Sequence, residues 1–431
     1  MSKSKNDLAW EKIFERYNII NNVLDAGYAS ISSTNINEFR EARLMTKFDH
    51  KSQLPKLFSD NNLSILPTSR GGYVIGTFET FSDFNIDDID ITPIEFPTFL
   101  ESLDYRDITS EATAINCAFI SKILHHFTEE ESLLPTVSGR MSSSSFGFEI
   151  NSSKGLFKVN VGNSQVEIDG GYEGDNSLNL IEAKNYISDD FLVRQLYYPY
   201  KLWCGKIQKK VRPIFLTYTN GIFHLREYAF TDINHYNSLV LIKHKKYAVQ
   251  DGVFNIETIQ EILDQTRTIK EPEIPFPQAD SFERVINLCE LLKQNDFLTK
   301  EQLLQDYDFG KIDPRQIDYY TNSARYLELV EKDKDPITNQ ICFVLSKKGK
   351  QVFNTNLIER QKEFAKLIIS HSAFKDTLKL ALENGEIPNK GVIVEIMKRS
   401  KLYKVGSEST YFRRASTVTG WINWIINQIE E

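Results

Sequence analysis

A chain of 431 residues, 41% apolar and 26% charged, has room for roughly two to four domains and is too apolar for a disordered or low-complexity protein. Its net charge of -8 excludes an indiscriminately basic, histone-like protein, although local basic surfaces remain compatible with that sum. No run approaches about 18 consecutive apolar residues, so no membrane span is expected. The polar residues at the start contain no apolar signal core, and the four scattered cysteines form no CxxC pair, so a reducing, cytoplasmic setting is expected. Seven equally scattered histidines, adjacent only at His125 and His126, speak against a zinc site or a histidine-based metal centre.

Residues 1–98 read as a mixed α/β region. An amphipathic helix is expected over 8–24, and two short strands around the Gly71-Gly72 turn. Residues 99–268 carry a sharper pattern. Helical spacing predicts a helix over 109–127, with Thr109 or Ser110 as N-cap and Glu111 in its first turn. Strands are predicted at 146–150, 155–161, 165–169 and 178–183, then a helix over 189–203 and strands at 213–218 and 222–230. That order predicts a small mixed sheet flanked by helices.

Three prolines mark 269–280 as a semi-rigid linker. Residues 281–356 then read as three helices and a β wing, the order of a winged helix. The helices lie at 281–294, after the capping box of Thr299 and Gln302, and from Pro314, with Asp313 as N-cap. A strand at 341–345 is followed by an expected tight turn at 346–349. Residues 357–431 are helical and basic, and Trp421 and Trp424 are expected to anchor a core. The fold class is therefore a multidomain α+β protein with helical winged-helix modules at its C-terminal end.

The chemistry concentrates in residues 166–184. Asp169 is expected to close one strand, and Glu182 and Lys184, two apart on the next, project from one face while Ala183 points away. Magnesium prefers oxygen ligands, and Asp169, Glu182 and the Ala183 carbonyl can supply three of them. Such a metal polarises a phosphate and activates water, while Lys184 can orient that water or stabilise developing charge. A Glu-x-Lys pair can equally be a plain surface ion pair. The preceding acid, the apolar companions Leu178, Leu180 and Ile181, and the helix that follows set this pair apart.

Taken together, the segment resembles the core of the PD-(D/E)xK nucleases, with Ile168 standing where the motif's proline would be. The resemblance implies Asp169, Glu182 and Lys184 as catalytic residues. Glu111 matches the acid that many members add from a preceding helix, or serves only the helix dipole. Gln195 matches a glutamine on the following helix, with Pro199 at the place of that motif's tyrosine; it supports the site or merely packs. Arg194 can touch a phosphate. Blocks at 41–50, 63–73, 137–141 and 194–200 are similar to a group of type II restriction endonucleases. That likeness implies Mg2+-dependent cleavage of double-stranded DNA, a homodimer at least on DNA, and a cognate DNA methyltransferase.

For reading DNA, the third winged helix offers Arg315, Gln316, Asn322 and Arg325, residue types that pair with guanine and adenine edges. Lys347 and Lys348 are expected at the wing turn, facing phosphates. Between Lys390 and Arg414 seven cations, among them Lys398, Arg399, Arg413 and Arg414, face two carboxylates, which suits a phosphate-binding surface or a solvated charged face. Two other readings stay open: a repair or mobile-element nuclease with the same core, and a non-catalytic winged-helix DNA-binding regulator.

Overall fold

Alternating apolar residues in the middle of the chain build a seven-stranded mixed sheet. The computed structural model describes residues 4–84, 89–249, 252–305, 307 and 315–429. Across the sheet the strands run Ile91–Ile94, Leu239–Val249, Ile222–Phe230, Lys210–Thr219, Ser177–Lys184, Gln165–Gly174 and Leu133–Ser142. Neighbours are antiparallel except at two places. Ser177–Lys184 lies parallel to Lys210–Thr219, and Leu239–Val249 parallel to Ile91–Ile94. A parallel pair needs a crossover, and the helix Arg194–Cys204 supplies it between 184 and 210.

The strand Ser177–Lys184 is buried along its whole length because both faces are covered. Leu178 and Leu180 share a core with Leu196, Tyr197 and Leu202 of the crossover helix. On the opposite face Ile181 and Ala183 share one with Ala114, Ile115, Ala118 and Phe127. The mixed α+β class expected from the sequence is therefore present. Before this sheet, a three-stranded sheet (Tyr28–Ser32, Gly72–Gly76, Ser64–Pro67) packs with helices around Trp10, Phe14 and Phe58. After it, a single apolar cluster extends from Phe254 to Ile425, on both sides of residue 356. Trp421 and Trp424 are buried there, and the Trp421 indole N–H donates to the Ala279 carbonyl at 2.8 Å. No helix among the described residues is long and apolar enough to cross a membrane.

Several expected elements differ in extent. The helix expected over 109–127 is two, Glu111–Ile120 and Ile123–Thr128, because Lys122 between them adopts a left-handed conformation with φ 64°. Likewise Asn18, at φ 51°, divides the N-terminal helix into Lys5–Arg16 and Ile19–Ala26. Asp169 does not close its strand, which continues to Gly174. The glycines allow this: a Cβ on Gly171 would lie 2.7 Å from Val137 Cβ, where the neighbouring strand is irregular. Residues 190–192 form a strand against Phe81–Asp83 rather than the start of the next helix. The turn expected at 346–349 is instead a capped helix, Lys347–Val352, with the Ser346 hydroxyl accepting the Gly349 N–H. Consequently Lys347 and Lys348 are not on a turn between strands; the hairpin turn of this region lies between Val330–Lys334 and Ile341–Leu345. The third helix is Arg315–Tyr326, and the expected Asp313 and Pro314 at its start lie outside the described residues.

One buried ion pair ties sheet to helix. Arg212 donates to both Glu227 oxygens, at 2.9 and 2.6 Å, and to the Thr128 carbonyl at 2.7 Å, while Glu227 is only 3% exposed. Arg212→Ala leaves that carboxylate with the more distant Lys210 ammonium at 3.7 Å. The expected loss of stability is about 3 kcal/mol by chemical denaturation, since stranding a buried charge costs more than the pair contributes. A loss below ~1 kcal/mol would mean that Lys210 takes over the pairing.

Candidate active site

Strand alternation places Glu182 and Lys184 on one face, as their spacing predicts, and the tertiary fold brings the other groups to them. The ladder with the preceding strand ends at Ile181 opposite Gly170. Beyond that point the Asp169 carboxylate replaces a ladder partner: its Oδ2 accepts the Ala183 N–H at 2.9 Å. Ala183 thus holds an acid of the site through its amide. Lys184 Nζ donates to Glu182 Oε1 at 2.7 Å and stands 3.7 Å from Glu111 Oε1. Gln195, on the first turn of the crossover helix, donates its amide to the same Glu182 oxygen at 2.6 Å. All five residues expected from the motif therefore meet at one place.

Glu111 occupies it because Ser110 caps the helix, accepting the Thr113 N–H at 3.1 Å, and leaves the Glu111 side chain, 41% exposed, to face the strand end. Glu182 and Lys184 are far more enclosed, with side chains 9% and 7% exposed. A further acid, Asp49, comes from the N-terminal region. It is nearly buried, and its charge acts on Lys184, Glu182, Glu111 and Asp169. Nothing in its spacing marks Asp49, which lies 120 residues before Asp169 in the chain; its place in the block at 41–50 is the only sequence signal it carries.

The electrostatics follow from crowding carboxyl groups around one buried ammonium. Burial pushes Glu182 up to about 8 against the pull of Lys184, and Asp169 and Asp49 add to the rise. Burial also raises Glu111 and Asp169. Lys184 is driven the other way from an ordinary buried amine. Burial disfavours its charge, but Glu182, Asp49 and Glu111 outweigh that and hold it protonated. For Asp49 burial is outweighed by Lys184, Lys47, His50 and Arg194, and its carboxyl sits below the usual range. The pocket thus holds more acid than its single buried cation can neutralise.

Among the described residues no three or more His, Cys, Asp and Glu side chains are grouped to hold a metal ion by themselves. Magnesium asks for less: it keeps several waters and uses one or two carboxylates plus substrate phosphates. Asp169 and Glu182 provide that donor chemistry. Gln195 Oε1 beside them is enclosed without a partner, so a water of a hydrated cation would satisfy it. A cavity of about 10 Å³, large enough for about one water, is lined by Glu182, Gln195 and Pro199. The residues fit the ion.

The residues expected to read DNA lie elsewhere and fare unequally. Arg325, Lys347 and Lys348 converge with Lys332 on one groove of about 880 Å³, which Glu328 and Glu331 share. Lys348 pairs with Glu328 there, and Arg325 donates to Asn322 at 3.0 Å. Arg315 is exposed and Gln316 half-buried on the same helix. In the second basic region Arg414 turns inward to the Phe276 carbonyl at 2.6 Å, and Lys398 pairs with Glu395 and Glu408. Arg399 and Arg413 remain exposed.

Three family models match the chain, each described as a domain of unknown function: DUF6996 over residues 7–75, DUF6997 over 76–248 and DUF7226 over 284–430. The second of them contains Glu111, Asp169, Glu182, Lys184 and Gln195, whereas Asp49 falls within the first. No curated protein and no solved structure matches the chain.

Proposed function

We propose that this protein is a magnesium-dependent endonuclease of the PD-(D/E)xK type that cuts double-stranded DNA at a short specific sequence, as a type II restriction enzyme does. The observation that carries the reading is the meeting of Glu182 and Glu111 at the buried Lys184 ammonium, with Asp169 held on the adjacent Ala183 amide, at one strand end. Asp169 and Glu182 would hold the cation, which when bound supplies charge to polarise the scissile phosphate and activate water. Lys184 orients the attacking water and stabilises charge developing on the phosphate. Gln195 holds Glu182 in place through its amide. The groove lined by Arg325, Lys347 and Lys348, and the exposed Arg399 and Arg413, would take DNA phosphates and bases. A dimer on DNA would cut both strands, and a methyltransferase would protect the host sites.

Incubating the full-length protein with phage DNA and Mg2+ is expected to give discrete fragments, and none when EDTA replaces the metal. The direct contact of Lys184 with Glu182 at 2.7 Å favours one other reading, in which the pair is structural and the protein is a winged-helix DNA-binding regulator. That reading expects duplex binding with the DNA left intact in Mg2+.

A further inference from the structure

A hairpin projects from the C-terminal unit into solvent. Its strands Val330–Lys334 and Ile341–Leu345 are antiparallel, and from residue 331 to 341 every residue except Asp335 is exposed. The helix before it is more enclosed. Along Arg315–Tyr326 Arg315 alone is exposed, Asp318 pairs with Lys300 at 2.7 Å, and Arg325 donates to Asn322. Strand alternation sorts the charges of the hairpin. Lys332 and Lys334 share a face with Ile341, which lies opposite Lys334 and is 59% exposed, whereas Glu331 and Asp333 lie on the other face. Val330–Lys334 is the edge strand of its sheet, so Lys332, like Glu331, also lines the groove that holds Arg325, Lys347 and Lys348.

The tip of this hairpin is held by its own bonds. Asp335, 8% exposed, accepts the Ile337 N–H at 2.8 Å and the Thr338 N–H at 3.2 Å on Oδ1, and the Thr338 hydroxyl at 2.6 Å on Oδ2. Its backbone N–H donates to the Gln340 carbonyl at 2.9 Å, and its carbonyl accepts the Asn339 N–H at 2.8 Å. The ring of Pro336 fixes one φ inside this turn, and Asn339 closes it at a left-handed φ of 57°. What the turn holds up is Ile337, 90% exposed, more than any other large apolar residue described. Single exposed apolar side chains are ordinary on a protein surface. Here the side chain is β-branched, stiff at χ1, and fixed at the apex of a bonded turn, so it loses little freedom on entering a partner.

Duplex DNA matches that combination. Its phosphates complement Lys332 and Lys334, and the groove read above as a DNA contact begins on the same strand. Apolar wedges that enter between base steps from the minor groove kink the duplex and bring more of it onto the protein. An apolar pocket on a protein would match Ile337 but not the two ammonium groups beside it. We propose that the hairpin is a minor-groove wedge, in which Ile337 enters between two base pairs of the bound duplex while Lys332 and Lys334 take flanking phosphates. The wedge rests on the DNA-binding part of the nuclease reading, and not on cleavage.

The test uses the full-length protein and a random-sequence duplex carrying a fluorophore at each end, with EDTA present so that nothing is cut. Wild type is expected to bind the duplex and to bring its ends closer by energy transfer. Ile337→Ala should weaken binding about 10-fold and abolish the bend, because the buried apolar surface of the wedge is lost. Its thermal midpoint should match wild type, since the side chain is almost fully exposed. Lys332→Ala and Lys334→Ala should each lower the slope of log affinity against log salt by about one, whereas Ile337→Ala leaves that slope unchanged. Wild-type affinity and bend in Ile337→Ala would overturn the proposal, as would a wild type that binds no duplex. So would an Ile337→Ala variant that keeps the duplex but dissociates a dimer, which makes the tip a contact between copies. Wild-type protein that binds and bends DNA through Ile337 yet cuts none in Mg2+ would remove the nuclease reading and leave the wedge standing.

Discussion

Lys184→Ala is expected to reduce DNA cleavage by about 10²–10³-fold while leaving duplex binding within a factor of about two. The size follows from what the ammonium alone can do. Among the described residues it is the one enclosed cation paired with Glu182 at the strand end, and Glu182, Asp49 and Glu111 hold it protonated. Lys47 is largely exposed and pairs with Asp49 instead. Asp169→Ala should have an effect of the same order for a different reason, because it removes a carboxylate and also strands the Ala183 N–H. Cleavage by both variants at the wild-type rate would remove these residues from the reaction. Loss of duplex binding together with cleavage would instead point to misfolding, which a thermal melt distinguishes.

Magnesium is expected to raise the thermal midpoint more at pH 8.5 than at pH 6, and Glu182→Gln should abolish that difference. Burial pushes the Glu182 carboxyl up to about 8 from 4.5. A carboxyl whose folded value is raised favours the folded state while protonated, so this stabilisation is complete below about 4.5 and is lost as pH rises through about 8. For an enclosed group with a shift of this size, the loss is at most on the order of 5 kcal/mol. A divalent cation binds the deprotonated form and releases the proton, so its affinity increases across the same window. Asp49, held below the usual carboxylate range, stays ionised throughout and does not oppose it. A Mg2+-induced rise that is equal at both pH values, or that persists in Glu182→Gln, would place the metal elsewhere.

The seams around residues 185–190 give these effects a structural frame. After Lys184 the chain passes between the two flanking units. His50 holds Tyr186 from one side. From the other, Asn287 accepts the Ile187 N–H at 3.3 Å and Arg284 meets Asp189 at 2.9 Å. The segment that follows the pocket strand is thus tied to both the N-terminal unit and the C-terminal helices.

What the residues determined unaided was local. A period of two on an apolar strand puts Glu182 and Lys184 on one face whatever surrounds them. A serine before a helix frees its first-turn acid, so Ser110 already placed Glu111 at a helix entrance. The capping box of Thr299 and Gln302 likewise located the start of a C-terminal helix, and the apolar face of the last helix placed Trp421 and Trp424 in the core. The limits of that reasoning are equally physical. It ended the Asp169 strand at its acid because glycines usually mark turns, whereas Gly171 serves close strand packing that only the neighbouring Val137 reveals, and Gly170 lies against Ile115 of the covering helix. It put Lys347 and Lys348 on a wing because a serine before lysines and a glycine reads as a turn, although the same serine caps a helix. Asp49 and His50 carry no signal in the chain beyond their place in the block at 41–50. His50 meets Asp190 and Tyr186 through contacts between residues more than 130 positions apart, and such pairings are set by which surfaces bury together, not by neighbours along the chain.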